Sequence, residues 1–139
     1  MKRILTSLLM AVGITGPFVT HLAAQTNREV ADIPFAFVVC NRTMPAGKYD
    51  VSQLRSSSPV FTVRDSQGHG TFIQLGKFEP GKPDKPSLTF ACYGKDCVLA
   101  KITPPNDPTA YALSEASIEK NLPHKLGMAS MISIKLTPR

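Results

Sequence analysis

Tryptophan is absent, and the chain holds only three histidines and three cysteines, so side chains for metal centres, stacking platforms and nucleophile–base pairs are scarce. No Gly-x-Ser-x-Gly elbow and no phosphate loop occurs; Gly81-Lys82 lies in a proline-rich connector and not between a strand and a helix. Close His-x3-His and Cys-x2-Cys spacings are missing, so no metal site is expected from His69, His124 and the cysteines, and no cofactor is expected either. Lysines and arginines are spread along the chain without a basic run interleaved with aromatics, which argues against a nucleic-acid partner. Helical periodicity is nearly absent. Paired carboxylates for acid–base work remain open, since Asp50, Asp65, Glu79, Glu115 and Glu119 are available, but their order in the chain nominates no pair.

What is present begins with an address. Met1-Lys2-Arg3 supplies a charged start, Ile4 to Phe18 an apolar run, and Leu22-Ala23-Ala24 a small-residue end, the order of a secretion signal cleaved after Ala24. Gly13, Gly16 and Pro17 interrupt the run, which falls short of the ~20 residues of a spanning helix, so no stable membrane span is expected after removal. No cysteine follows Ala24 to carry a lipid anchor. The expected product is an exported chain, periplasmic or extracellular, with 25–139 forming one β domain around one core. The formal charge of +6 falls by two with Lys2 and Arg3, leaving a mild excess that reads as solvated surface.

Within 25–139 the pattern alternates with period two in short segments between Gly, Pro, Asn and Asp signals, as in an antiparallel sheet with one buried face. Phe35, Phe37 and Val39 share one side of a first strand, 33–39, and the segment 41–47 turns the chain into a second, 48–54. Phe61 and Val63 point inward in 60–64, which pairs through the turn 65–70 with 71–75. The segment 79–86, with three prolines, is expected to stay out of any ladder and form an exposed loop. Leu88 to Tyr93 pairs with Asp96 to Ile102, and Ile132, Ile134 and Leu136 alternate inward in a last strand. Residues 112–122 suit a short helix with Ser114 as N-cap and Pro123 as stop, or a bent edge strand. About seven or eight strands without crossover helices predict an all-β fold, a small antiparallel β-sandwich or β-barrel.

Ile33-Pro34-Phe35-Ala36-Phe37, Pro45-Ala46-Gly47-Lys48-Tyr49 and Phe90-Ala91-Cys92-Tyr93-Gly94 resemble the strand and turn motifs of a family of small exported bacterial proteins with no established activity. A later Leu-x-x-Ser-x-x-Glu motif of that family is met by Leu113-Ser114-Glu115-Ala116-Ser117-Ile118-Glu119, with alanine at the serine position. The resemblance implies an exported all-β domain and supplies no catalytic residue. The residues read the same way on their own: Gly47 is suited to positive φ after Pro45-Ala46, and Tyr49 to covering that turn.

Cys92 and Cys97 carry the sharpest expectation. If Gly94-Lys95 forms a two-residue type II′ loop, Tyr93 pairs with Asp96 and Cys92 faces Cys97 with Cα atoms ~4.5 Å apart, short but bridgeable. Export favours the disulfide, which closes so small a loop that it stabilises by only about 2 kcal/mol. Cys40 is left over. It reads as a buried apolar thiol at the end of the first strand, against a free reactive or intermolecular thiol.

Three functions fit this frame. The first is an exported, non-enzymatic β domain with a binding or structural role, its candidate surfaces being the loop 79–86 and the turn 65–70, since binding residues concentrate on loops held by a scaffold. The second is a small-ligand carrier or hydrolase with its site in a barrel or cleft, excluded if Phe35, Phe37, Phe61, Phe72 and Phe90 fill the interior. The third is an assembly subunit, a homo-oligomer joined through a strand edge or Cys40.

Overall fold

The computed structural model describes residues 28–121 and 128–139; the segment 1–24 expected to be a secretion signal, Leu122, Pro123 and His124 lie outside them. Two sheets face each other and do not close into a barrel. The first sheet runs in the order β12 (Thr137–Pro138), β1 (Arg28–Ile33), β4 (Gly47–Gln53), β5 (Val60–Asp65), β6 (Gly70–Gln74), all antiparallel. The second runs β11 (Ser130–Lys135), β8 (Ser87–Tyr93), β9 (Asp96–Thr103), β10 (Thr109–Ala112), β7 (Lys77–Pro80). A short strand, β2 (Phe37–Val39), lies parallel to β9 at Val38 and Val98 and carries β3 (Arg42–Met44) on its other side.

The alternation seen in the sequence assigns the faces. Tyr49 and Val51 of β4, Phe61 and Val63 of β5, and Ile73 of β6 point into the sandwich against Leu88, Phe90, Leu99 and Ile102 of the second sheet, all buried. Phe37 joins the layers, its ring 5.2 Å from Tyr49 on one side and 5.3 Å from Phe90 on the other, both edge-on. Phe61 meets Tyr111 of β10 across the gap at 5.3 Å. Each such side chain contributes about 1.5–3 kcal/mol by leaving water, and the ring pairs add to that. The Tyr49 hydroxyl donates to the Pro45 carbonyl at 2.6 Å, so the ring does close the turn before β4. Gly47 takes a positive φ of 158°, a conformation that side chains other than glycine's rarely adopt, as its place after Pro45-Ala46 leads one to expect.

Several expected boundaries move. The first strand is two: Pro34 ends β1, and the chain re-enters at Phe37 in the opposite sheet. The segment 79–86 is not wholly a loop, because Glu79 and Pro80 finish β7 and pair with Ala110 and Thr109. β7 is an edge strand, where a proline without an N–H is tolerated. Twelve strands are described where seven or eight were expected, the surplus being pieces of two to four residues. The segment expected as a helix or a bent strand, 112–122, is described as far as Asn121 and holds the end of β10 and α1 (Glu115–Asn121): Ala112 is strand, and the Ser114 hydroxyl and carbonyl accept from Ser117 N at 3.3 and 3.0 Å, capping the helix. Phe72 points outward and is 60% exposed, while its neighbour Ile73 takes the interior place. In β11, Ile134 packs on the core but Ile132 is 37% exposed, because nothing described lies beyond that edge.

Candidate functional site

Cys92 stands opposite Cys97 across the turn Gly94-Lys95, with Gly94 at φ 61° and Tyr93 facing Asp96. The sulfurs are 2.13 Å apart and the Cα atoms 4.0 Å, a disulfide distance. Cys40 is exposed, contrary to the expectation of a buried thiol. It and Asn41, at φ 49° and 59°, form the two-residue turn between β2 and β3, a left-handed pair that lifts the side chain off the core. Its Sγ–H donates to the Phe72 carbonyl at 3.4 Å, and partial desolvation holds the thiol above its ordinary pKa, which keeps it protonated. Under denaturing, non-reducing conditions a thiol titration is expected to find one reactive sulfhydryl per chain and three after reduction. Three from the outset would show the 92–97 pair unbridged, and none would place Cys40 in a bridge between chains.

Among the described residues the interior is filled by side chains. Among the described residues Phe37, Phe61 and Phe90 are fully buried and Phe35 packs on them; the gap at this end of the core, beside Glu29, amounts to about 20 Å³. The available carboxylates do not converge into an acid–base pair: Asp50 pairs with Arg139, and Glu79 lies between Lys77 at 3.0 Å and Lys101 at 3.5 Å. The Lys77 hydrogen bond, aided by both charges, holds Glu79 below the usual carboxylate range. No group of three His, Cys, Asp or Glu side chains among the described residues stands close enough for a metal ion. No described helix is long and apolar enough to cross a membrane.

Concavity lies instead on the two outer faces, and each is walled by one of the two loops singled out in the sequence. On the first sheet, Asp65, Ser66 and Gly68 border a groove of about 650 Å³. The turn is self-contained: Asp65 Oδ1 accepts from Gln67 N and His69 N, both at 2.9 Å, and its Oδ2 lies 3.4 Å from His69 Nδ1. Such a turn holds its shape without a ligand.

On the second sheet the segment 80–86 walls a groove of about 740 Å³. The loop is pinned at several points, Gly81 N to Pro108 O at 2.7 Å, Lys85 N to Lys82 O at 2.9 Å and Leu136 N to Pro86 O at 3.0 Å. A Cβ on Gly81 would lie 2.9 Å from backbone atoms of Ala110 and Thr109, so the wall sits hard against β10. The floor is a grid set by strand register. Lys135, Ser87 and Thr103 form one row across β11, β8 and β9, and Ser133, Thr89 and Lys101 form the next. The two lysines thus occupy opposite corners around hydroxyl groups, with neighbouring strands ~4.8 Å apart. Thr89 Oγ1 and Ser133 Oγ are hydrogen-bonded at 3.2 Å. Lys82 and Lys85 add two cations from the loop, Asp84 is the one acid of the lining, and no aromatic side chain is in it.

No family model, curated protein or solved structure matches this chain. Sequence order had spread the lysines evenly and suggested a plain solvated surface. The fold gathers four of them, because Lys101 and Lys135 lie 34 positions apart yet share a face separated by one strand. The one sequence signal of this was the polar side of the alternation: Ser87, Thr89, Lys101 and Thr103 fall on the non-core positions of two strands otherwise apolar.

Proposed function

We propose that the chain is an exported, non-enzymatic binding domain that holds an anionic, hydroxyl-rich ligand, such as an acidic polysaccharide segment, in the lysine groove of the second sheet. The observation that carries this is the convergence of Lys82, Lys85 and Lys135, with Lys101 shared with Glu79 at 3.5 Å, over the hydroxyl floor of Ser87, Thr89, Thr103 and Ser133. Lysine ammonium groups supply charge and donors, and the hydroxyls both give and accept hydrogen bonds to a polyol. The lack of a ring in the lining argues against a neutral sugar, which such sites commonly stack on an aromatic face. Export is supported by the leader pattern at 1–24 and by the Cys92–Cys97 pair at disulfide distance.

Polygalacturonate is expected to bind with an affinity that falls steeply with added salt, while neutral dextran does not bind, as titration calorimetry would read. The double variant Lys101→Glu, Lys135→Glu is expected to lower that affinity by at least about tenfold, since each charge-assisted hydrogen bond is worth about 1.5–3 kcal/mol. Equal binding of the neutral polymer, or an unchanged affinity in a folded double variant, would refute the proposal.

A further inference from the structure

The outer face of the first sheet has a different chemistry from the lysine groove. Register sets its side chains in two long rows, Val30, Asp50, Arg64 and Gly70, then Arg28, Ser52, Thr62 and Phe72. Ser52 Oγ and Thr62 Oγ1 are 2.6 Å apart at the floor of the groove, flanked by Arg28 and Arg64, with Lys48 on the same face of β4. The acids of the groove are already engaged, Asp50 by Arg139 and Asp65 by the amides of its own turn and His69. Arg28, Lys48 and Arg64 have no acid partner among the described residues, and all three are exposed.

Two further features separate this face from an ordinary charged surface. Gly70 makes room for Arg64: a Cβ there would stand 2.3 Å from Arg64 Cγ and 2.8 Å from the Val63 carbonyl, so the arginine stem lies across the edge strand where any other residue would displace it. And the same face exposes two large apolar side chains, Leu54 at 57% and Phe72 at 60%, both lining the groove. Cations and hydroxyls in a concavity, bordered by a leucine and a phenylalanine, make an amphipathic surface. The lining of the lysine groove holds no leucine, methionine or aromatic side chain.

We propose that this face binds the headgroup of an anionic lipid, its phosphate held by Arg28, Arg64 and Lys48 over the Ser52–Thr62 hydroxyls, with Leu54 and Phe72 against the acyl boundary. Guanidinium groups present a donor fork that matches phosphate oxygens, and basic residues at an anionic surface add their attractions while exposed apolar side chains enter the interface. A soluble phosphate would use the cations but not the apolar border, which is why the lipid is the occupant the geometry favours. The site is independent of the lysine groove and lies on the other side of the sandwich.

The test is co-sedimentation of the exported, processed chain with vesicles of phosphatidylglycerol mixed into phosphatidylcholine, against vesicles of phosphatidylcholine alone, with glycerol phosphate as the soluble comparison. Binding is expected to the mixed vesicles only. Arg28→Glu with Arg64→Glu is expected to weaken it at least about tenfold. Leu54→Ser with Phe72→Ser, both positions being exposed, is expected to weaken vesicle binding several-fold and to leave any glycerol phosphate binding unchanged. Lys101→Glu with Lys135→Glu is expected to have little effect, so that failure of the lysine groove and failure of this face are read separately. Equal binding to neutral vesicles would overturn the proposal. So would vesicle binding indifferent to Leu54 and Phe72, which would leave a site for soluble anions or acidic peptides, or binding lost only with the Lys101 and Lys135 changes.

Discussion

Glu29→Gln is expected to raise the thermal midpoint at neutral pH and to flatten the dependence of stability on pH. Glu29 sits on the inner side of β1 in register with Val51, only 7% exposed, at a small gap lined by Val51, Phe61, Ile102, Pro104, Pro105 and Leu136. Its Oε2 has no hydrogen-bond partner among the described residues. Desolvation therefore pushes the carboxyl above its ordinary pKa. In the window between the unfolded and the raised folded value the native state holds a proton that the unfolded chain releases. That contribution is complete below the unfolded pKa and is lost as pH rises through the folded one. At neutral pH the native state carries an unpaired charge in an apolar gap, or a proton it must hold against the solvent, a cost beyond that of the unpaired neutral amide that glutamine would leave there. Glutamine keeps the shape without the charge. An increase of several degrees follows, since about 1 kcal/mol shifts the midpoint by about 4–8 °C in a domain of this size. Thermal melts of both proteins from about pH 4 to pH 8 decide the matter. Parallel profiles, or a variant less stable at neutral pH, would sink the idea.

Phe90→Ala is expected to cost about 3–5 kcal/mol, whereas Phe72→Ala stays within about 0.5 kcal/mol of the parent chain. Phe90 is fully buried, edge-on to Phe35 at 5.2 Å and to Phe37 at 5.3 Å, so its removal opens a cavity between the sheets and strips both ring contacts. Phe72 is 60% exposed and lends its backbone, not its ring, to Cys40. Urea denaturation of the two variants measures the contrast. A large loss for Phe72→Ala would mean that its ring is buried in solution and would remove it from the lipid-facing surface as well.

That contrast marks how far alternation can be read. The period-two pattern placed Phe37, Val39, Phe61 and Val63 inside correctly, because a pleated strand sends alternate side chains to one face and water rejects the apolar set. It assigned no face at Phe72, where Phe72 and Ile73 are adjacent and equally apolar, so only the pairing of Phe61 with Ile73 settles which faces in. The same limit hid Glu29. Val30 is the apolar residue there, yet β1 turns Glu29, Ala31 and Ile33 inward because Val30 is held opposite Asp50 on the outer face.

The cysteines show both sides of the boundary. The facing of Cys92 and Cys97 was legible, since a two-residue turn around Gly94 fixes the register of a hairpin within six residues of chain. The exposure of Cys40 was not, because it depends on β3 forming and on the chain crossing from one sheet to the other at Pro34. Pro80 joining β10 likewise depends on which strand arrives at that edge.

By itself, then, the amino-acid order determined the all-β character, most of the inward-facing side chains and the 92–97 hairpin, all of which rest on interactions between near neighbours or on solvent acting one residue at a time. The tertiary structure decided which sheet each strand joined and what met on the two outer faces. Lys101 with Lys135, and Arg28 with Arg64, become neighbours only through lateral register between strands distant in the chain, and register between distant strands is set by the packing of the whole core.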